Sequence, residues 1–178
     1  PTGAVQLINH EKGVVIDVCE AHEFAAGHVS GAKHIPLSQL AKKLPDTVKN
    51  KDLPVIFVCE NNGYMEYTPI DRVIPVARPA ADRASAYGLA AVTVDGNDVR
   101  AVREVALEAV DAARRGGGPV LVEARTYRHG GHSVADPAAY RPADEVAAWK
   151  QRDPLLVLRE GAIGRGAAAP DLDAILPQ

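Results

Sequence analysis

Short apolar runs recur along this chain at VVIDV (14–18), VIFVC (55–59), AAVTVD (90–95) and VLVEA (120–124). Runs of this length, rich in β-branched residues and bounded by glycine, proline or polar residues, predict buried strands. Between them apolar residues fall at helical spacing. The clearest case is 99–115, where Val102, Val105, Ala106, Ala109, Val110 and Ala113 form one face and Asp98 stands as the N-cap. Shorter helices are predicted after Thr2, with Val5, Leu7 and Ile8 as their apolar face, in EAHEFAAGH up to Gly27, and from Ser38 to Leu44. Others run from Pro79 and Ala80 to Gly88 and start near Ala143 and Pro154. From Gly161 the chain is rich in alanine, glycine and proline and reads as a loosely held tail. Strands alternating with helices predict an α/β fold with a mostly parallel sheet flanked by helices. Functional loops are then expected at the C-terminal ends of the strands.

Length and charge narrow the function. The 178 residues can bury a core of ordinary domain size, and the net charge of −3 gives no support to a general nucleic-acid or polybasic membrane role. No apolar run approaches a membrane span, and nothing at Pro1–Ala4 reads as a signal peptide. Cys19 and Cys59 make neither a disulfide framework nor a CxxC knuckle, so a reducing cytoplasm is the expected setting. Cation usage is asymmetric. Every cationic side chain before Arg72 is lysine, and every one from Arg72 onward is arginine except Lys150. Such a switch predicts two sequences of different origin joined between Lys51 and Arg72.

Candidate chemistry gathers where VIFVC meets Glu60, Asn61, Asn62, Gly63 and Tyr64. Either Cys59 is a nucleophile or the asparagines hold an ion. The text AVQLINHEKGVVIDVCEAHEFAAGHVSGAKHIPLSQLAKKLP, with its distance to Cys59, resembles a rhodanese domain over residues 4 to about 59. That resemblance implies a persulfide on Cys59, cradled by backbone N–H groups and arginines. Here Glu60 follows the cysteine, no arginine is near in sequence, and Cys19 stands where the family carries an arginine after its first strand.

From about Leu53 to the end, LPVIFVCENNGYMEYTP, AADRASAYGL, VTVDGND, GPVLVEARTYRHGGHSVADPAAYRP and EVAAWKQRDP resemble the C-terminal half of another family. It is the alpha subunit of thiamine-diphosphate-dependent dehydrogenases that act on 2-oxo acids or acetoin. The resemblance implies thiamine diphosphate and magnesium as cofactors, with Asn62 as a side-chain ligand and Tyr64 as a carbonyl ligand. It implies that His132 lies on a loop near the reacting carbons and that Ser133 matches a serine phosphorylated in some relatives. Arg128 and His129 are expected to face the cofactor's charged groups, and a beta subunit is the expected partner. Without the resemblance, His129 and His132 are an HxxH in a glycine-rich loop.

Together the two resemblances imply a composite of two partial doubly wound domains, 1–53 and 54–160, followed by the tail 161–178. One composite sheet is expected from the strands near 14–18, 54–59, 90–95 and 120–124. The aspartate of the family's GDG motif has no counterpart in the rhodanese-like stretch, where Asp17 and Asp46 are the nearby acids. Three readings stay open: a partial dehydrogenase alpha subunit that is inactive alone, a sulfurtransferase using Cys59, and a non-catalytic chimera. Faces shaped for absent neighbours make self-association an expectation of all three.

Overall fold

The computed structural model describes residues 14–18, 21–26, 31–50 and 54–175. The helix expected after Thr2 lies outside them. The chain divides into two compact units, Pro1–Leu53 and Pro54–Gln178.

In the first unit, strand β1 (Ile16–Asp17) pairs in parallel with β2 (Lys33–His34), and helix α1 (Ala21–Ala26) lies between them in sequence. Ile35 follows β2 and is buried. A 3₁₀ turn, Leu37–Gln39, then leads into α2 (Leu40–Thr47). Two details differ from the sequence reading. Gln39, not Ser38, stands at the N-cap, and the helix continues past Pro45. Proline removes one N–H from the helical ladder. Here the Thr47 hydroxyl donates to the Lys43 carbonyl and the Val48 N–H to that of Leu44, which closes the last turn.

The second unit is built on a parallel three-stranded sheet in the order β3 (Ile56–Asn61), β7 (Val120–Arg125), β6 (Ala90–Asp95). The expected single sheet is therefore corrected: among the described residues, β1 pairs with β2 and not with these strands. The class is as expected, parallel sheets flanked by helices. Strand β3 also runs two residues further than its apolar run. Glu60 pairs with Ala124 and Asn61 with Arg125, so the ladder to β7 extends the strand beyond what hydrophobicity signals.

Alternation divides the sheet into two faces. On one, Val120, Val122, Ala124 and Val94 are buried against Ala109 of α5 (Val99–Ala112), with Val92, Val102 and Val105 packed around them. Asp98 caps α5 as expected, its Oδ1 accepting from the N–H groups of Arg100 and Ala101 at 2.9 and 3.3 Å. On the other face, the central row is Cys59, Glu123 and Thr93, in register across the three strands. Short helix α4 (Ala81–Ala84) covers this side with Ala81 and Ala84 buried.

A two-stranded antiparallel hairpin, β4 (Tyr64–Met65) and β5 (Thr68–Pro69), follows β3 and leads into α3 (Ile70–Val73). After β7 come a long loop, α6 (Ala143–Lys150), α7 (Pro154–Ile163) and α8 (Ala169–Asp173). Arg159 of α7 holds Asp173 of α8 through Nε and Nη2 at 3.0 and 2.8 Å. Among the described residues no helix is long and apolar enough to cross a membrane.

Replacing Asp98 by alanine removes the acceptor for two otherwise unpaired N–H groups. The substitution is expected to destabilise the second unit by about 1 kcal/mol, read as a lower urea midpoint with an unchanged slope.

Candidate functional site

The site is assembled from two loops at the C-terminal ends of neighbouring parallel strands, the hairpin after β3 and the loop after β7. A buried carboxylate sets the first. Glu123 stands in the middle of the central strand with 0% exposure. Its Oε1 accepts from Asn61 Nδ2 at 2.7 Å, and its Oε2 accepts from the N–H groups of Ala80 and Ala81 at 3.1 and 2.8 Å. A buried carboxylate without such donors would carry a heavy desolvation cost. The three bonds tie the end of β3 and the start of α4 to the central strand.

Beyond Asn61 the chain turns back on itself. Asn61 Oδ1 accepts from the Gly63 N–H at 3.1 Å, and Asn62 Oδ1 from the Tyr64 N–H at 3.3 Å, two successive Asx turns. Gly63 sits at φ +84°, a backbone region that a side chain disfavours. The Gly63 carbonyl accepts from Ile70 N–H at 2.9 Å, which closes the hairpin.

Glu145 joins this turn to the second loop. The hydroxyls of Tyr64 and Tyr127 both donate to its Oε1 at 2.8 Å. Burial and the adjacent Glu145 carboxylate push the Tyr64 phenol up to about 12, and the same causes raise Tyr127. Tyr127 stacks on Trp149 with centroids 5.1 Å apart. The buried Arg141 lies over the Tyr127 ring and reaches the loop's own backbone. It donates to the carbonyls of Arg128, His129 (3.3 Å) and Gly130 (2.7 Å).

Within that loop, Asp136 Oδ2 accepts from the His132 N–H at 2.6 Å and from the Tyr140 hydroxyl at 2.9 Å. Its Oδ1 accepts from Ala138 N–H at 2.8 Å. Partial burial pushes the Asp136 carboxyl up, but these donors and the Arg128 guanidinium outweigh it and hold the carboxyl below its ordinary value. A Cβ on Gly131 would run into the backbone and side chain of Asp136, so the close approach there requires glycine. Arg128 Nη2 donates to the Glu66 carbonyl of the hairpin at 2.8 Å and to the Tyr140 hydroxyl at 3.3 Å. The two loops are thus one hydrogen-bonded body.

Of the residues singled out from sequence, Asn62, Tyr64, Arg128 and His132 lie on these linked loops. Arg128 directs its terminal nitrogens at His132, Glu66 and Tyr140. His129 faces Asp153, Nδ1 to Oδ2 at 3.7 Å, while its Nε2 is buried without a partner among the described residues. Ser133 is exposed. Cys59 lies in the sheet, and burial, Glu123 and Glu60 push its thiol up. Sequence reasoning passed over Glu123, Glu145, Asp136 and Arg141. The signal for Glu123 is the lone acid inside VLVEA; the others sit in polar stretches where nothing in the pattern marks them.

Comparison with known proteins bears on this arrangement. Residues 47–173 match the dehydrogenase E1 component family, and residues 1–69 match the rhodanese-like domain. The chain belongs to the dehydrogenase E1 component family. It is 50% identical over 94 residues to the alpha subunit of acetoin:2,6-dichlorophenolindophenol oxidoreductase of Bacillus subtilis (strain 168), covering 53% of this chain and 28% of that protein. It is 43% identical over 121 residues to the pyruvate dehydrogenase E1 component subunit alpha of Zymomonas mobilis subsp. mobilis, covering 67% and 34%. The corresponding protein of Porphyra purpurea is 44% identical over 119 residues, with the same coverage. The chain therefore spans about a third of the length of these curated relatives, and the rhodanese-like match overlaps the E1 match over residues 47–69, which include β3 and the hairpin after it.

The electrostatics predict two outcomes. In a Cys19→Ser background, iodoacetamide should alkylate Cys59 at neutral pH more slowly than a free thiol; rapid labelling would contradict the raised thiol. Replacing Glu145 by glutamine should move the Tyr64 phenol from about 12 back toward its ordinary value of about 10, seen in ultraviolet titration of phenolate. Because the folded state holds this proton more tightly than the unfolded one, its contribution is present below about pH 10 and lost as pH rises to about 12. The Glu145→Gln variant should show less of that alkaline loss.

Proposed function

We propose that the chain contributes part of the alpha-subunit site of a thiamine-diphosphate-dependent dehydrogenase. The reaction class is oxidative decarboxylation of a 2-oxo acid or cleavage of acetoin, and the isolated chain is inactive. The observation that carries this reading is the Asn61–Tyr64 turn, anchored by buried Glu123 at the end of β3 and linked to the His132 loop, inside the stretch matched to the E1 family. The named activities of the pyruvate and acetoin relatives set the two substrate classes.

The donor set does not by itself fit a resident magnesium ion. Asn62 Oδ1 and the Tyr64 carbonyl are neutral oxygens, whereas magnesium is bound through one or two carboxylates together with phosphate oxygens and water. Among the described residues no group of three or more histidine, cysteine, aspartate or glutamate side chains could hold a metal. We therefore assign these residues one side of a magnesium–diphosphate site. A charged ligand from outside the described set must complete it, and a beta subunit is the expected partner.

The sulfurtransferase reading is disfavoured by where the N–H groups point. A persulfide cradle needs free backbone donors. Those of Gly63 and Tyr64 are taken by Asn61 and Asn62, and those of Ala80 and Ala81 by Glu123.

The test is calorimetry with thiamine diphosphate and magnesium. The chain alone should give no heat. Adding the beta subunit of a pyruvate or acetoin dehydrogenase should produce binding heat that Asn62→Ala abolishes. Silence in both arms would overturn the proposal.

A further inference from the structure

We infer that Arg128 is a positioning residue that fixes the tautomer of His132, placing the ring proton on Nε2 and making that nitrogen a hydrogen-bond donor. One contact carries it, Arg128 Nη1 to His132 Nδ1 at 2.9 Å. A guanidinium has only N–H donors and keeps its charge at any ordinary pH. The imidazole nitrogen facing it must therefore accept. A neutral imidazole that accepts at Nδ1 carries its proton on Nε2. The opposite tautomer would set two donors head to head at hydrogen-bond distance.

The geometry on both sides of the contact is constrained. Arg128 is held through Nη2 by the Glu66 carbonyl and the Tyr140 hydroxyl, while Arg141 donates to its backbone carbonyl. Its Nε is buried without a partner among the described residues, so the guanidinium is oriented through its terminal nitrogens. His132 is held through its N–H by Asp136, and the Tyr67 ring stands edge-on to the imidazole at 6.4 Å and 70°. The Arg128 guanidinium cannot swing away without losing its bonds to Glu66 and Tyr140, and the His132 backbone beside it is fixed by Asp136. Among the described residues no hydrogen-bond partner stands at His132 Nε2. The free ring nitrogen is the protonated one, suited to an oxygen acceptor such as a carbonyl, a carboxylate or a phosphate.

Where the acceptor belongs to substrate or cofactor, this rests on the dehydrogenase reading above. His132 then donates from Nε2 and does not take a proton there. This also recasts Arg128. Expected from sequence to face charged groups of a cofactor, it acts through the histidine.

The experiment is long-range proton–nitrogen correlation on the ¹⁵N-labelled full chain, without cofactor, at about pH 8, where an ordinary histidine is neutral. His132→Gln identifies the His132 signals by their loss. The wild type should show a protonated Nε2 and an unprotonated Nδ1 for His132. Arg128→Met should convert this pattern to a tautomer mixture, while Arg128→Lys, which keeps one donor, should retain more of it. A protonated Nδ1 in the wild type, or an unchanged pattern in a folded Arg128→Met variant with intact Tyr127–Trp149 fluorescence, would overturn the inference. Because no cofactor is present, these outcomes are independent of the calorimetry.

Discussion

A single carboxylate, Glu123, is the constraint around which the second unit is arranged. It lies on the central strand, where nothing apolar can compensate the loss of water, so every lone pair that matters has to meet a donor. Asn61 supplies one and the start of α4 supplies two. That requirement explains three features at once. Strand β3 remains paired through its polar residues, α4 begins where its first N–H groups can point inward, and the Asn61 amide is turned toward Glu123 with both of its ends engaged. Asn62 holds only the turn, through the Tyr64 N–H, because its neighbour makes the bond to Glu123.

The second loop is organised by the same logic with different parts. Glu145 accepts two phenols, Asp136 accepts two N–H groups and a hydroxyl, and Arg141 spreads its guanidinium over three carbonyls. Each polar hub has one sign of hydrogen-bonding capacity and is surrounded by the complementary one. Aromatic rings fill the space between, with Tyr127 between Trp149 and Arg141. A glycine-rich loop that would otherwise be loose becomes a fixed frame, and that frame gives the contact between Arg128 and His132 its meaning.

How much of this could be read in the sequence depends on which force decides each element. AAVTVD and VLVEA are legible because burial on a parallel sheet writes itself as a continuous apolar run, and Asp98 is legible because a cap needs a short acceptor at one position. Helix α2 runs past Pro45 because side-chain and backbone bonds from Thr47 and Val48 close its last turn, which propensity does not register. The end of β3 was hidden because ladder pairing, not hydrophobicity, extends it. Asn62, Tyr64 and His132 were singled out through family resemblance, Asn62 also through the polar end of its apolar run. Glu123 and Glu145, which hold Asn61 and Tyr64, come from elsewhere in the chain, joined by contacts across 62 and 81 residues, and no local pattern announces such pairs.

Strand β3 and the hairpin after it belong to both sequence matches, so the groups around the strand end, and not the matches, have to separate the two chemistries. A persulfide enzyme needs positive potential and free N–H groups around sulfur. Here the thiol of Cys59 has Glu123 beside it in the sheet row and Glu60 after it, and both raise it. The N–H groups of the following turn point back at their own asparagines. Carboxylates so placed disfavour a sulfur anion. The rhodanese-like match runs through this strand and on to residue 69, and the acids beside its cysteine, more than the presence of the cysteine, set how readily a thiolate forms there.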